Sequence, residues 1–459
     1  MNASPTSAAT TTAAGSAATA RRTNIRYWIL AMIFIVTTVN YADRATLSIT
    51  GPAMREAFGF SAVQMGYIFS AFSWAYVMAQ IPGGWLLDRF GARRIYAASI
   101  CLWSVFTLLQ GWVGVFASMG AVMTVLFMLR FAVGLAESPA FPANAKVVAS
   151  WFPTSERGTA SAIFNAAQYF AAVVFTPLMA WVTHSWGWHH VYLWMGVIGM
   201  ALALLWLKVM RSPADHPAVN RAELEHIEQG GGLIHMNEGA ARGAGKAAAP
   251  AGWFYARQLL SNRMLAGVYL GQYCINVLTY FFLTWFPVYL VQARGMSILK
   301  AGFVASLPAI CGFLGGVLGG MISDALLRRG HTLTVARKVP IVAGMLLSVS
   351  MIACNYVDAE WLVVGFMALA FFGKGIGALG WAVVADTAPK EVIGLAGSIF
   401  NTFGNIAGIV TPIAIGYILS VTGSFNGALV FVGVHALVTV LSYLVIVKDI
   451  RRVELRHPQ

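Results

Sequence analysis

The chain has 459 residues, of which 58% are apolar and 10% are charged. An ordinary soluble domain carries roughly 25% charged residues, so the composition excludes a water-soluble protein. The formal charge of +13 does not indicate a nucleic-acid-binding protein, because the basic residues lie in short loops between apolar segments and not along one face of an element.

Apolar segments long enough to cross a bilayer, about 20 residues each, recur along the whole chain. They predict an all-α integral membrane protein with 12 transmembrane helices in two six-helix halves. The predicted spans of the first half are 27–47, 63–87, 93–114, 118–142, 158–182 and 190–210. Those of the second half are 264–291, 299–326, 338–356, 361–385, 394–419 and 425–447.

These spans divide the chain into five parts. The predicted parts are a disordered N-terminal tail (1–25), a six-helix bundle (26–210), a cytoplasmic linker (211–260), a second six-helix bundle (261–448) and a cytoplasmic C-terminal tail (449–459). The N-terminal tail is rich in Ala, Ser and Thr and has no apolar core, so it does not have the pattern of a secretory signal.

The positions of the basic residues predict the orientation in the membrane. If the N-terminus is cytoplasmic, 24 of the 30 Lys and Arg residues lie in cytoplasmic segments and three lie on the opposite side. Because short cytoplasmic loops carry an excess of Lys and Arg, we predict a multi-pass inner-membrane protein with both termini in the cytoplasm.

An internal repeat supports the two halves. When the chain is shifted by 236 residues, several residues that interrupt or end helices coincide in the two halves. Two related halves are typical of transporters that bind substrate between them near the middle of the membrane. The coinciding pairs are Asp88 with Asp324, Pro153 with Pro389, Gly158 with Gly394, Asn165 with Asn401, and Gly187 with Gly423.

A charged motif follows the second predicted helix, and a partial copy follows the eighth. It resembles the signature of the major facilitator superfamily, in which glycines permit a tight turn and an Asp between Arg residues can form a cytoplasmic charge cluster that holds the two halves together in one state. We predict a gate, not a substrate site, at Gly84, Asp88, Arg89, Gly91, Arg93, Arg94, Asp324 and Arg328.

Five charged residues fall inside predicted helices, namely Asp43, Arg44, Arg130, Glu137 and Lys374. A charge at the middle of a helix costs about 2.5–3.5 kcal/mol on insertion scales, so each needs a partner or a water-filled cavity. The first two lie near the predicted outer end of the first helix, and Arg130 and Glu137 are seven residues apart, which places them on nearly one face.

These charges predict a carboxylate substrate, because a guanidinium holds a carboxylate by two parallel hydrogen bonds and stays charged. Asp43 and Glu137 are then candidate proton carriers. The alternative is two structural ion pairs, Asp43 with Arg44 and Arg130 with Glu137, although sequence neighbours face different directions and partners on other helices are preferred. Lys374 either contacts substrate or pairs with an acidic group, and the structural role is preferred.

Longer segments carry a more specific resemblance. Residues 40–48, 129–131, 134–137, 151–153 and 156–158 resemble the anion:cation symporter family of the major facilitator superfamily. Residues 80–85, 158–165 and 188–190 are most similar to its bacterial aldarate permeases, which import glucarate or galactarate, with hexuronate and galactonate permeases as close relatives.

The resemblance implies a role for individual residues. Proton coupling falls on Asp43 and Glu137, and Arg44 and Arg130 hold the substrate carboxylate. Ala378 and Gly380 stand where relatives can place hydroxyl residues, which leaves the sugar acid open. The remaining substrate-binding candidates are Tyr41, Tyr76 and Gln168 in the first half and Trp381, Asn401, Asn276 and Tyr280 in the second.

The predicted function is import of a sugar-acid anion of the glucarate or galactarate type by proton symport through alternating access. Hexuronate, galactonate, tartrate and phthalate-like anions are alternative substrates, and sodium is an alternative coupling ion. A membrane sensor or membrane enzyme is a remote alternative, because the linker is too rich in Gly and Ala for an output domain. We expect no cofactor, metal or nucleic acid, and a monomer in contact with lipid.

Overall fold

The computed structural model describes residues 22–116, 118–153, 156–234, 249–389 and 392–455. Every regular element within these ranges is a helix. Most of the predicted N-terminal tail, part of the linker and the last four residues of the C-terminal tail lie outside the described residues.

The described residues of the first half form seven α-helices, and two more α-helices lie in the described part of the linker region. The first seven are α1 (Ile25–Phe58), α2 (Ala62–Phe90), α3 (Ala92–Gln110), α4 (Met119–Glu137), α5 (Ala140–Trp151), α6 (Arg157–Trp186) and α7 (Trp188–Val209). The linker helices are α8 (Arg221–Gln229) and α9 (Ala249–Ser261).

The second half contains eight helices, two of which continue into a tighter or wider turn. They are α10 (Arg263–Thr284), α11 (Phe286–Gln292), α12 (Ile298–Arg328), α13 (Leu333–Ser348), α14 (Glu360–Ile376), α15 (Gly380–Thr387), α16 (Ile393–Thr422) and α17 (Asn426–Leu441). A 3-10 turn, Val349–Tyr356, extends α13, and a π turn, Ser442–Val447, extends α17.

The helices agree with the predicted twelve spans. Eleven segments of the described chain are long and apolar enough to cross a membrane. The remaining predicted span is α2, whose 29 residues reach about 44 Å at 1.5 Å per residue. Two spans are broken in the middle, the fourth between α4 and α5 and the tenth between α14 and α15.

The predicted end of the first span was wrong. The helix does not stop near residue 47 but continues through Pro52 to Phe58. Proline is tolerated inside a membrane helix when neighbouring helices compensate, and here Gly51 allows the side chains of Met65 and Phe69 to approach closely. Asp43 therefore lies in the middle of α1 and not near its outer end.

The internal repeat is visible in the helices. α2 and α12 begin 236 residues apart, and so do α6 and α16. Both α6 and α16 end at a glycine with positive φ, Gly187 at 93° and Gly423 at 64°, a conformation that other residues rarely adopt. The repeat found in the sequence is thus a repeat of helix positions and helix ends.

The two halves meet along α2 with α16 and along α6 with α12. Small residues allow these contacts, since a Cβ at Gly66 would overlap the carbonyl oxygen of Pro412 and a Cβ at Gly302 would overlap Ala180. Gly66 and Gly302 lie near the N-terminal ends of α2 and α12, and Ala180 and Pro412 lie in the C-terminal halves of α6 and α16. We call this side of the protein, where α1 ends and α2 begins, the closed face.

A hydrogen bond between the halves also lies at the closed face, where Arg55 Nη1 donates to Gln292 Oε1 at 2.5 Å. At the opposite side, which we call the open face, an added Cβ at Gly84 or Gly320 would meet nothing within 4 Å. Trp381 is 56% exposed there. The described residues therefore form a structure closed on one side and open on the other.

The described part of the linker includes a helix that packs on the first half. Helix α8 packs on the first half through Glu223, which is 0% exposed. This carboxylate accepts hydrogen bonds from the hydroxyl of Thr23, from the backbone amides of Ile25 and Arg26, and from the Arg26 guanidinium. Burial raises the pKa of Glu223, but these hydrogen bonds outweigh it and hold the pKa below its ordinary value.

Glu223→Gln should lower the free energy of unfolding by about 1.5–3 kcal/mol, because it removes charge-assisted hydrogen bonds. A lowered carboxyl pKa stabilises the fold above the ordinary pKa, and this contribution is lost as the pH falls through the folded-state value. The difference from the parent protein should therefore shrink below roughly pH 4.

Thermal unfolding in detergent between pH 3 and pH 7 measures this difference. The matched control is Glu225→Gln on the same helix, whose exposed carboxylate pairs with Arg221 and should contribute less than about 0.5 kcal/mol. Equal effects of the two substitutions would show that Glu223 does not hold α8 on the bundle.

Candidate functional site

A cavity of about 100 Å³ lies between the two halves. Helices α1 and α6 supply the wall from the first half, including Tyr41 and Gln168. Helices α10 to α12 and α14 supply the wall from the second half, including Phe282, Phe371 and Lys374. Two of the predicted substrate residues, Tyr41 and Gln168, are thus brought to one cavity from different helices.

Arg44 lies behind Tyr41, enclosed by aromatic rings. Its guanidinium carbon is 4.7–4.9 Å from the ring centroids of Tyr41, Phe72 and Tyr76. Its Nε donates to Glu137 Oε2 at 2.8 Å, and Glu137 is 0% exposed. The aromatic faces attract the cation and leave the carboxylate as its one ionic partner among the described side chains.

Arg130 does not pair with Glu137. Its Nη1 donates to the backbone carbonyl of Asp43 at 3.4 Å, and its Nη2 donates to the carbonyl of Arg44 at 3.3 Å. Asp43 Oδ2 accepts a hydrogen bond from Thr107 on α3 at 2.8 Å. The alternative pairing of Asp43 with Arg44 and of Arg130 with Glu137 was therefore wrong, whereas the preference for partners on other helices is confirmed.

The four charges leave several hydrogen-bonding atoms unpaired. Buried polar atoms are almost always paired in native structures, with protein groups, ligands or ordered water, so a group of unpaired atoms marks a place where water, a ligand or a proton completes the bonding. The unpaired buried atoms within the described part of this cluster are both side-chain amide atoms of Asn40, Asp43 Oδ1, Arg44 Nη2, Arg130 Nε and Glu137 Oε1.

The second half supplies amides and aromatic rings. Tyr280 donates to Asn405 Oδ1 at 2.9 Å, and Asn405 Nδ2 donates to the backbone carbonyl of Asn401 at 2.8 Å. Gln272 Nε2 approaches Asn276 Oδ1 at 3.4 Å. The sequence did not single out Gln272 or Asn405. Gln272 lies one helical turn from Asn276, and Asn405 lies one turn from Asn401, so each pair shares a helix face.

Tyr280 also reaches the first half. A Cβ at Gly408 would overlap both the Tyr280 ring and the hydroxyl of Ser73 on α2. Gly408 thus lets Tyr280 lie close to Ser73, at the interface between the halves. Trp381 lies further toward the open face, where its ring packs edge-on against Phe400 at 5.0 Å between centroids.

Some of the predicted gate residues have described side chains. The hydrogen bonds and cation–π contacts of these side chains stay within their own half. The guanidinium carbon of Arg89 lies 5.1 Å from the ring centroid of Trp85, and Arg93 Nη2 donates to the carbonyl of Leu207 at 2.6 Å. Gly91 has φ 84° and permits the turn into α3. Arg94 is exposed.

The side chain of Asp88 lies outside the described residues. Asp324 and Arg328, in the partial copy of the motif, are exposed at the open face. A charge cluster that joins the two halves is thus absent from the described side chains of this open conformation, and it stays a prediction for the state that is closed on this side.

The chain matches the model of the Major Facilitator Superfamily over residues 33–336. The chain belongs to this superfamily. It is 64% identical over 436 residues to the probable galactarate/D-glucarate transporter of Escherichia coli K12, covering 95% of this chain and 96% of that protein. It is equally identical to the protein of the same name from Bacillus subtilis 168, covering 95% of each chain.

A more distant relative is the D-galactonate transporter of Escherichia coli O6:H1, 40% identical over 93% of this chain and 97% of that one. Among solved structures, a bacterial homologue of the human lysosomal transporter Spinster in an inward-facing, occupied conformation has a TM-score of 0.71 at 16% identity, covering 91% of this chain and 96% of that chain. This superfamily member is thus a multi-pass membrane transporter and not an enzyme.

Thr107→Val should lower the free energy of unfolding of the transporter by about 1–3 kcal/mol, because it leaves the buried carboxylate of Asp43 without its donor. Thermal unfolding in detergent at pH 7 measures this change. The matched control is Thr124→Val, since the exposed Thr124 hydroxyl bonds only to Gly120 of its own helix, and it should change stability by less than about 0.5 kcal/mol. Equal losses would contradict a role for Thr107 in holding Asp43.

Proposed function

We propose that this transporter imports galactarate and D-glucarate across the bacterial inner membrane by proton symport. The names and high identity of the relatives support the substrate class. The observation that carries the coupling is the ion pair between Arg44 and Glu137, which are both buried beside the cavity between the halves.

Glu137 and a substrate carboxylate compete for one guanidinium. While Glu137 is ionised, it occupies Arg44. A proton on Glu137 removes that competitor, and a substrate carboxylate then takes its place on the arginine. Asp43 is the second proton site, since its Oδ1 has no partner within the described residues. Proton and substrate binding become mutually favourable, which is the thermodynamic requirement of symport.

The remaining predicted substrate residues fit a polyhydroxylated acid. Their hydroxyls, amides and ring faces suit a ligand with many hydroxyl groups. The charged cluster of the first half suits one charged end of that ligand. The predicted substrate residues are Tyr41, Tyr76, Gln168, Trp381, Asn401, Asn276 and Tyr280, together with Arg44 and Arg130. The identity to a D-galactonate transporter supports galactonate as the second candidate substrate.

We propose an orientation with both termini in the cytoplasm, from the excess of Lys and Arg on that side. The open face is then the cytoplasmic face, and this conformation is inward-open. Alternating access requires the contacts of α2 with α16 and of α6 with α12 to separate while the gate residues close the opposite side.

Uptake of labelled D-glucarate into proteoliposomes with an inward proton gradient tests the proposal. We expect accumulation that an uncoupler abolishes and that galactarate inhibits more strongly than glucuronate or galactonate. Accumulation driven only by sodium would overturn proton coupling, and no uptake of any of these acids would overturn the substrate class.

Glu137→Gln should retain exchange of labelled for unlabelled glucarate but lose uphill accumulation, because the amide mimics the protonated acid and cannot release a proton. Counterflow and gradient-driven uptake in the same proteoliposomes separate the two activities. Glu56→Gln, at an exposed position near the end of α1, is the control and should keep both. Loss of exchange in Glu137→Gln would contradict a coupling role.

Arg130→Lys should weaken glucarate binding by about tenfold or more, although the charge is kept, since an ammonium cannot reproduce the planar guanidinium that bridges two carbonyls of α1 and still faces a ligand. Equilibrium binding to the purified protein measures this. Arg221→Lys on the exposed surface of α8 is the control. An unchanged dissociation constant for Arg130→Lys would count against recognition by this guanidinium.

A further inference from the structure

Lys374 is a charged residue at the middle of a membrane span. It is residue 15 of the 28 in the tenth span, Glu360–Thr387, and it is 6% exposed. Such a position is costly for a charge unless the charge has a partner or faces a cavity. Lys374 lines the cavity between the halves, as Tyr41 and Gln168 do.

Lys374 has no acidic partner within the described chain. It forms no hydrogen bond or ion pair with a described residue, and its Nζ lies 5.0 Å from the ring centroid of Phe371. The Phe371 ring packs against Phe282 at 4.4 Å, and no Asp or Glu is among the cavity-lining residues of the described chain. The structural ion pair preferred from the sequence is therefore not found there.

The charges of the site indicate what Lys374 binds. The cluster in the first half contains two arginines and two carboxyl groups, Asp43 and Glu137, so its formal charges cancel when all four are ionised. One proton on Glu137, while Asp43 stays ionised, leaves a net charge of +1 there. A ligand with two carboxylates needs a further positive charge, and Lys374 supplies it from the other half.

At the offset of 236 residues this lysine corresponds to Ser138, the residue after Glu137. The tenth span is the counterpart of the fourth, and both are broken helices, α14 with α15 and α4 with α5. The fourth span carries Arg130 and Glu137 before its break, and the tenth carries Lys374 before its own. Counterpart spans of the two halves therefore each carry a buried cation before their break.

We propose that Lys374 binds the second carboxylate of a linear sugar dicarboxylate whose first carboxylate is held by the arginines of the first half, and that it is the residue that selects dicarboxylates over monocarboxylates. This inference rests on the proposed function. A ligand held at both ends joins the two halves, whereas a monocarboxylate binds one half strongly and gains less from closure around it.

The test compares two ligands on three proteins and one control variant. The ligands are D-glucarate and its monoamide, in which one carboxylate is a neutral amide of nearly the same size, each competing against labelled glucarate on purified transporter at fixed pH. The proteins are the parent, Lys374→Gln and Lys374→Arg. Lys338→Gln is the control, because it removes a lysine from another helix of the same half that does not line the cavity.

The parent should bind glucarate about 10- to 100-fold more tightly than the monoamide, the range expected for one charge-assisted hydrogen-bonded pair. Lys374→Gln should bring this ratio close to one by losing glucarate affinity while keeping monoamide affinity. Lys374→Arg should keep most of the ratio, and Lys338→Gln should keep all of it.

A parent protein that prefers glucarate, together with a Lys374→Gln variant that keeps the same preference, would overturn the role of Lys374 and leave the proposed function intact. A parent that binds no sugar acid would overturn both. If Lys374→Gln does not yield folded protein, the parent alone decides, since equal affinity for glucarate and its monoamide would overturn the proposal.

Discussion

The need to neutralise charge inside the membrane governs this transporter. Arg44 and Glu137 are buried, and each would be very unfavourable alone, because a buried charge without a partner is far more costly than a buried pair. The pair is held by contacts from several helices, with aromatic rings around Arg44 and the backbone bonds of Arg130 to α1. In the proposed mechanism a proton neutralises Glu137 and an anionic ligand replaces it on Arg44, so the site responds to both.

The two halves provide different chemistry on a repeated framework. The first half carries the arginines and carboxyl groups, whereas the second half carries amides, aromatic rings and Lys374. Close approach at glycines joins the halves at the closed face, while the described gate residues at the open face contact only their own half. In the proposed mechanism a ligand that contacts both the charged cluster and the second half favours closure, because it stabilises the state in which both sets of groups converge.

Local sequence motifs predicted the family and the number of membrane spans. The apolar segments predicted the spans to within a few residues for most helices, and the residues at offset 236 predicted the helix ends that α6 and α16 share. The first span was placed too short because Gly51 and Pro52 resemble a helix end. In the folded protein the helix continues through them, and Gly51 packs closely against Met65 and Phe69 of α2.

The amino-acid sequence alone determined that this is a twelve-span protein of two related halves, since hydrophobic length and glycine position act locally along the chain. It also identified which charges lie inside the membrane. The tertiary structure decided the partners of those charges: Arg44 with Glu137, Arg130 with backbone carbonyls, Asp43 with Thr107, and Lys374 with none among the described residues. These partners come from helices far apart in the chain, so their pairing depends on how the helices pack and not on spacing along any one of them.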